Sequence, residues 1–322
     1  GPGGARGGAP GGRGQAPGRG GAGRRGAPPT GGGGRGAEGG WGARLGLLDL
    51  GSLEGWEVPW GGATVAGGMA AWVGAFAATG LVLTPLVAAK FGLLDQGVPA
   101  SGLSPSRGPY LLLLNQVLTT GLSLGALLTV VRFATRDSNE EEGSGALLRL
   151  DAGAPAWRLE DGWLTWALIG CAATPVAVGL TAGAIGALGL QDSSASGTAD
   201  VVVSTLSLDP RADAALFAVT SVLAPGMEEV VFRGFLLASL TKWLEPVPAV
   251  LVSAGFFGCA HLSARDLPEL VAVGTVLGLV YLRSKNLLTP IVVHSFWNSG
   301  VLFLLLALTA GGYDVDKLLH PV

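Results

Sequence analysis

Apolar residues in this chain come in long runs, with most of the charges gathered between them. The first run, Ala63 to Ala89, is bounded by Lys90 and exceeds the roughly 20 residues that a helix needs to cross a bilayer. Pro109 to Val131 stops at Arg132. Trp163 to Leu190 is entered through Trp163 and Trp166, aromatic residues suited to the membrane interface. After a polar stretch from Gln191 to Asp213, apolarity resumes from Ala214 to Leu244, Val247 to Leu262, Leu267 to Leu282 and Leu288 to Ala310. The pattern predicts an all-α, polytopic transmembrane helical bundle of about seven to eight spans, the shorter ones tilted or partly spanning. Within the fourth run, Ala224-Pro225-Gly226 predicts a kink or a restarted helix, which would set the two acids that follow near a helix N-terminus.

Charge assigns the sides. Arg132, Arg136, Arg149 and Arg158 lie on one side, and Lys242, Arg283 and Lys285 return to it, while Asp192, Asp200 and Asp209 fall on the other. The positive-inside rule makes the basic side, with the 132–162 loop, the cytosolic or stromal one. Glu140, Glu141 and Glu142 in that loop read as a solvated connector. Residues 1–44 are mostly Gly, Ala, Pro and Arg with one acid, Glu38, and such a stretch buries too little to offset its chain entropy, so disorder is expected. An arginine-rich, acid-poor start also fits an organelle transit peptide, and with it a chloroplast membrane, although serine, usual in such peptides, is absent here.

Composition narrows the classes. With 49% hydrophobic and 13% charged residues and a mean hydropathy of +0.50, the chain is too apolar for an ordinary soluble domain. The net charge of -3, with no basic stripe interleaved with aromatics, argues against a nucleic-acid partner. Cys171 and Cys259 form no CxxC pair and read as small packing residues, the alternative being a thiolate nucleophile at Cys259. There is no HExxH zinc-protease signature, no serine in a rhomboid-like setting and no phosphate loop of an ATP-driven transporter.

Ionisable groups inside the spans are few and concentrated. Nearly all of the deeply placed ones fall in Glu228-Glu229-Val-Val-Phe-Arg233, Phe257-Gly-Cys-Ala-His261 and His294-Ser-Phe-Trp-Asn298. Charges in hydrocarbon cost roughly 2.5–3.5 kcal/mol or more, so they persist where a bundle interior or a function holds them. On a helix Glu229 and Arg233 share a face and can pair, which leaves Glu228, about 100° away, free to face a cavity as a general base. His294 and Asn298 also share a face, and two such donors are what an oxyanion hole requires. Phe257 stands one turn from His261, where its ring can restrict the imidazole.

These three motifs, in this order on successive hydrophobic helices, resemble the CAAX-processing and bacteriocin-processing (CPBP, or Abi) intramembrane proteases, to which the type II CAAX prenyl endopeptidases belong. The resemblance covers roughly Ala214 to Leu308. It implies that Glu228 and His261 bind and activate the attacking water, that His294 and Asn298 stabilise the oxyanion, and that Glu229, Arg233 and Phe257 support them. The chain then divides into a disordered or transit segment at 1–44, an N-terminal transmembrane region at 63–212 and a protease-like region at 213–311. The expected substrate is a membrane protein or lipid-anchored peptide in the lipid bilayer. Two forms of the chemistry stay open, one without metal and one with a single zinc ion on Glu228, His261 and His294. Two other functions also account for intramembrane acids and histidines. One is a non-proteolytic scaffold that binds and protects another membrane protein, the other an ion-coupled transporter. One feature is discordant: counted from the expected helix starts, His294 and His261 fall at different depths.

Overall fold

The computed structural model describes residues 53–92, 107–136, 150–190 and 197–319. The expected disorder or transit function of residues 1–44 and the Glu140–Glu142 connector lie outside these residues. Every regular element described is helical: α1 Gly62–Lys90, α2 Gly108–Ala134, α3 Trp163–Ala187, α4 Thr198–Thr205, α5 Pro210–Leu240, α6 Pro246–Ala260, α7 Leu267–Ser284, α8 Leu288–Ala310 and α9 Val315–Leu319. Six of these helices are long and apolar enough to cross a membrane, and α6 is a shorter apolar helix. The chain is an integral membrane protein. The expected spans reappear with small shifts at their ends, and the described part of the polar stretch before the fourth span supplies α4 and the first turn of α5.

The restarted helix expected at Ala224-Pro225-Gly226 is not found. The helix neither breaks nor restarts there, because α5 continues from Pro210 to Leu240 with a π-helical turn at Ala218–Leu223 just before the proline. Proline lacks an N–H and its ring clashes with the carbonyl four residues back. Taking in one extra residue relieves both problems, and the Ala224 N–H bonds the carbonyl of Val219 instead. The same device precedes Pro85 in α1, where Thr84 bonds Thr79. Glu228 and Glu229 therefore sit inside a continuous helix rather than at an N-terminus, followed by a second π-helical stretch at Val230–Leu237.

Burial marks α5 as the central helix. Of its most apolar window 56% is buried, against 11% for α3 and 22% for α2 and α8. Its aromatic residues Phe232 and Phe235 join Phe257, Leu277 and Tyr281 in one core, while Leu81, Phe133, Leu180 and Phe303 stay exposed and present an apolar exterior to lipid. Helices α6 and α7 approach closely because glycines face them. A Cβ on Gly274 would stand 3.0 Å from the Ala254 Cα, and one on Gly278 would stand 2.8 Å from Val250. Small residues of this kind let membrane helices touch backbone to backbone.

Residues 53–60, just ahead of α1, form a strap across the ends of α5 and α7. Trp60 Nε1 donates to Ser239 Oγ at 2.8 Å, and Lys242 Nζ donates to the carbonyls of Val58 and Trp60 at 3.1 and 2.8 Å. Trp56 stacks on Tyr281 at 4.6 Å beneath the Lys285 ammonium, which lies 3.9 Å from its ring and bonds the Glu54 carbonyl. The lysines that mark the basic side in sequence thus also fasten the chain entering the first span.

Candidate active site

Glu228 and Glu229 occupy successive positions of α5, and burial separates their tasks. The Glu229 side chain is inaccessible, whereas that of Glu228 keeps 18% of its surface. Glu229 Oε1 accepts from Arg233 Nη1 at 2.8 Å and is met by His294 Nδ1, also at 2.8 Å. A carboxylate already held by arginine has no proton to give, so His294 Nδ1 is the donor. Arg233 completes its own bonding with the Gly274 carbonyl at 3.0 Å, and its guanidinium lies 4.6 Å from the centre of the Phe257 ring. The close approach of α7 to α6 at Gly274 brings that carbonyl within reach.

His261 stands at the C-terminal end of α6, with Nδ1 2.8 Å from the Phe257 carbonyl. A carbonyl only accepts, so Nδ1 carries the hydrogen and the Nε2 lone pair is left for other work. The Phe257 ring meets the His261 ring edge-on at 4.7 Å and the His294 ring at 5.6 Å. It is the spacer between the two imidazoles, and it restricts His261 as its one-turn spacing suggested. On α8, His294 Nε2 lies 3.9 Å from Glu228 Oε2. One turn on, Asn298 Nδ2 donates to the Thr220 carbonyl at 2.8 Å. Thr220 belongs to the π-helical turn before Pro225, where helical carbonyls are displaced from their usual partners.

The four side chains meet. Glu228, His261, His294 and Asn298 all line one cavity of about 450 Å³, together with Phe257, Thr220 and the α4 residues Thr198 and Val202. A volume of that size falls within the roughly 300–1,000 Å³ of typical ligand pockets. The depth mismatch read from the sequence is thereby resolved, since the short helix α6 brings His261 to the ring that also touches His294. Among the described residues no group of three or more His, Cys, Asp or Glu side chains is disposed to hold a metal ion. Cys259 does not line the cavity, which leaves the thiolate alternative without a place in this site.

Residues 210–300 match the model of the family described as type II CAAX prenyl endopeptidase Rce1-like. Over these residues the chain is similar to that family. Among curated relatives, the membrane-embedded CAAX protease MroQ of Staphylococcus aureus is 29% identical over 87 residues, 25% of this chain and 35% of MroQ. CAAX prenyl protease 2 of Rattus norvegicus is 35% identical over 77 residues, 24% of this chain and 25% of the rat protein. YdiL of Bacillus subtilis, named as a proposed membrane peptidase, is 29% identical over 86 residues, 27% of this chain and 35% of YdiL. The chain thus spans only about a third or less of the length of these relatives. No solved structure matches the chain significantly. The Rce1-like region holds α5 to α7 and the first half of α8, and with them every residue of the three motifs.

Sequence reasoning missed three parts of the site. The bond from His294 to Glu229 joins residues 65 positions apart, and that from Asn298 to Thr220 joins residues 78 apart, so no local spacing announces either. Glu269, in the first turn of α7, also lines the cavity. Its one signal in the sequence is an acid at the entry of an otherwise apolar run.

Proposed function

We propose that this protein is an intramembrane endopeptidase that hydrolyses peptide bonds of membrane proteins or lipid-anchored peptides by direct attack of water. The observation that supports the reading is the meeting of Glu228, His261, His294 and Asn298 on one cavity inside an apolar bundle. Glu228, the partly accessible acid, is the general base and takes a proton as the water oxygen adds to the carbonyl carbon. His261 Nε2 accepts the other hydrogen of that water and orients it. The oxyanion receives one hydrogen bond from the second amide hydrogen of Asn298, the first being held by Thr220, and another from His294 Nε2.

Donation from Nε2 requires the doubly protonated ring, because Nδ1 is already a donor to Glu229. Glu228, Glu229, Arg233 and His294 then carry two negative and two positive charges, a neutral set suited to hydrocarbon surroundings. Collapse of the tetrahedral intermediate breaks the carbon–nitrogen bond, and the proton on Glu228 passes to the departing amine. One water is consumed, and one carboxyl and one amine appear.

The test is incubation of the purified protein in liposomes with a panel of membrane-anchored peptides, the new termini being read by mass spectrometry. Cleavage that disappears on Glu228→Gln or His261→Ala is expected, and a wild type that cuts nothing contradicts the proposal. A scaffold would keep its cellular function in both variants, so complementation separates that reading. The arginine-rich residues 1–44 extend the proposal to a chloroplast membrane. Imaging of a full-length fluorescent fusion in leaf cells tests this, and signal confined to other membranes contradicts it.

A further inference from the structure

The cavity wall carries an acid that the reaction leaves unused. Glu269 lies in the first turn of α7 and lines the cavity beside Asp266, at the end where His261 closes α6. The helix dipole accounts for an acid in a first turn, but a carboxylate serving only that purpose is solvated by water. Glu269 instead has one carboxylate oxygen, Oε2, buried without a hydrogen-bond partner. Such an oxygen is expensive to leave unpaired; it is closed off in this structure, and a turn of the carboxylate toward the cavity that Glu269 lines brings it to a bound donor.

Its neighbours are engaged. Asp266 Oδ2 accepts from the Thr198 backbone N–H at 2.5 Å and from its hydroxyl at 2.8 Å. Arg265 lies 3.7 Å from Asp200, and Glu228 faces His294. Among the described residues the charged side chains lining the cavity, the histidines apart, are Glu228, Asp266 and Glu269, all acids. Val202 and Leu270 line the same space and suit the methylene stem of a long side chain whose charged end reaches further.

We infer that Glu269 is a specificity residue that receives a lysine or arginine side chain of the peptide near the scissile bond. The inference rests on the endopeptidase reading and adds a substrate class to it, namely a membrane-associated peptide with a basic residue close to the cut. The cationic head supplies N–H donors to Glu269, and a glutamate at the same peptide position meets repulsion from three carboxylates. Discrimination thus comes from both attraction and repulsion.

The test uses full-length protein in liposomes and a set of membrane-anchored peptides that are identical except at the positions flanking the cut, where each carries Lys, Arg, Met, Gln or Glu. The wild type is expected to cleave the Lys or Arg peptide at least about tenfold faster in kcat/KM than the Met peptide, the scale of one hydrogen bond between charged groups. Glu269→Gln brings that ratio close to one, and Glu269→Lys inverts it in favour of the Glu peptide. Because the readout is a ratio within each variant, a loss of folded protein does not alter it, and an acid serving only the helix dipole leaves it unchanged. A wild type that cuts without preference, or a preference that survives both substitutions, overturns the inference. A wild type that cuts no peptide of the panel overturns the endopeptidase reading and this inference with it.

Discussion

Glu229→Ala combined with Arg233→Met separates what holds the site together from what aligns it. Both side chains are essentially inaccessible, at 0% and 1% exposure, and their ion pair measures 2.8 Å. Removing one partner of such a buried pair leaves the other charge uncompensated, at a cost of about 3–5 kcal/mol. Arg233 would retain the Gly274 carbonyl and the Phe257 ring, which places Glu229→Ala toward the lower part of that range. The added Arg233→Met removes the orphaned cation and fills its volume, so the double variant is expected to regain about 2 kcal/mol relative to Glu229→Ala. Peptide cleavage does not recover, because His294 Nδ1 still lacks the acceptor that Glu229 Oε1 supplies. Equilibrium unfolding of the purified protein in mild detergent reads the first quantity, and kcat on a membrane-anchored peptide reads the second. A cost below about 1 kcal/mol for Glu229→Ala would refute the buried-pair energetics. A double variant that regains full activity would refute the part assigned to Glu229 in aligning His294.

Other consequences follow from single contacts. Asn298→Ala is expected to lower kcat by about 10²–10³, as for loss of one oxyanion donor, with a much smaller change in KM; steady-state kinetics decides, and an effect confined to KM contradicts the role. Gly274→Ala puts a Cβ 3.0 Å from the backbone of Ala254 and should destabilise the protein by about 1–3 kcal/mol, read as a lower unfolding midpoint in detergent; an unchanged midpoint contradicts the close packing. Burial pushes the Lys285 ammonium, in the turn after α7, down to about 8 from 10.5, with Glu54 opposing. Between those values the unfolded chain keeps a proton that the folded chain has released, so this lysine makes stability rise with pH across that window. Lys285→Met should flatten the rise in a pH series of unfolding curves, and a rise that persists unaltered would assign it to other groups.

The spans were legible because hydrocarbon thickness and uncharged run length leave little choice, and the observed helices keep the expected limits within a few residues at most ends. The course of α5 was not. Pro225 between Ala224 and Gly226 reads as a breaker, since a sequence shows the lost N–H and not the π-helical turn that absorbs it. That turn also supplies the Thr220 carbonyl that fixes Asn298, so the same local event hid both the helix continuity and one support of the site. The pairing of Glu229 with Arg233, and the exposure of Glu228 to the cavity, followed from spacing on a helix. The third member, His294, did not, because its bond to Glu229 depends on how α8 lies against α5. Depth was misjudged for a related reason: counting residues from span ends assumes upright helices of similar length, and α6 has only 15 residues.

The central claim is that Glu228 removes a proton from the attacking water inside this cavity. Its most direct test is the kcat of Glu228→Gln against wild type on one membrane-anchored peptide, with the unfolding midpoint of each protein measured alongside. Gln keeps the shape and hydrogen-bonding reach of the side chain but cannot hold the proton. The expected result is a fall of about 10²–10⁴ in kcat, the usual contribution of a positioned general base, with little change in the midpoint. Equal rates for the two proteins would contradict the account.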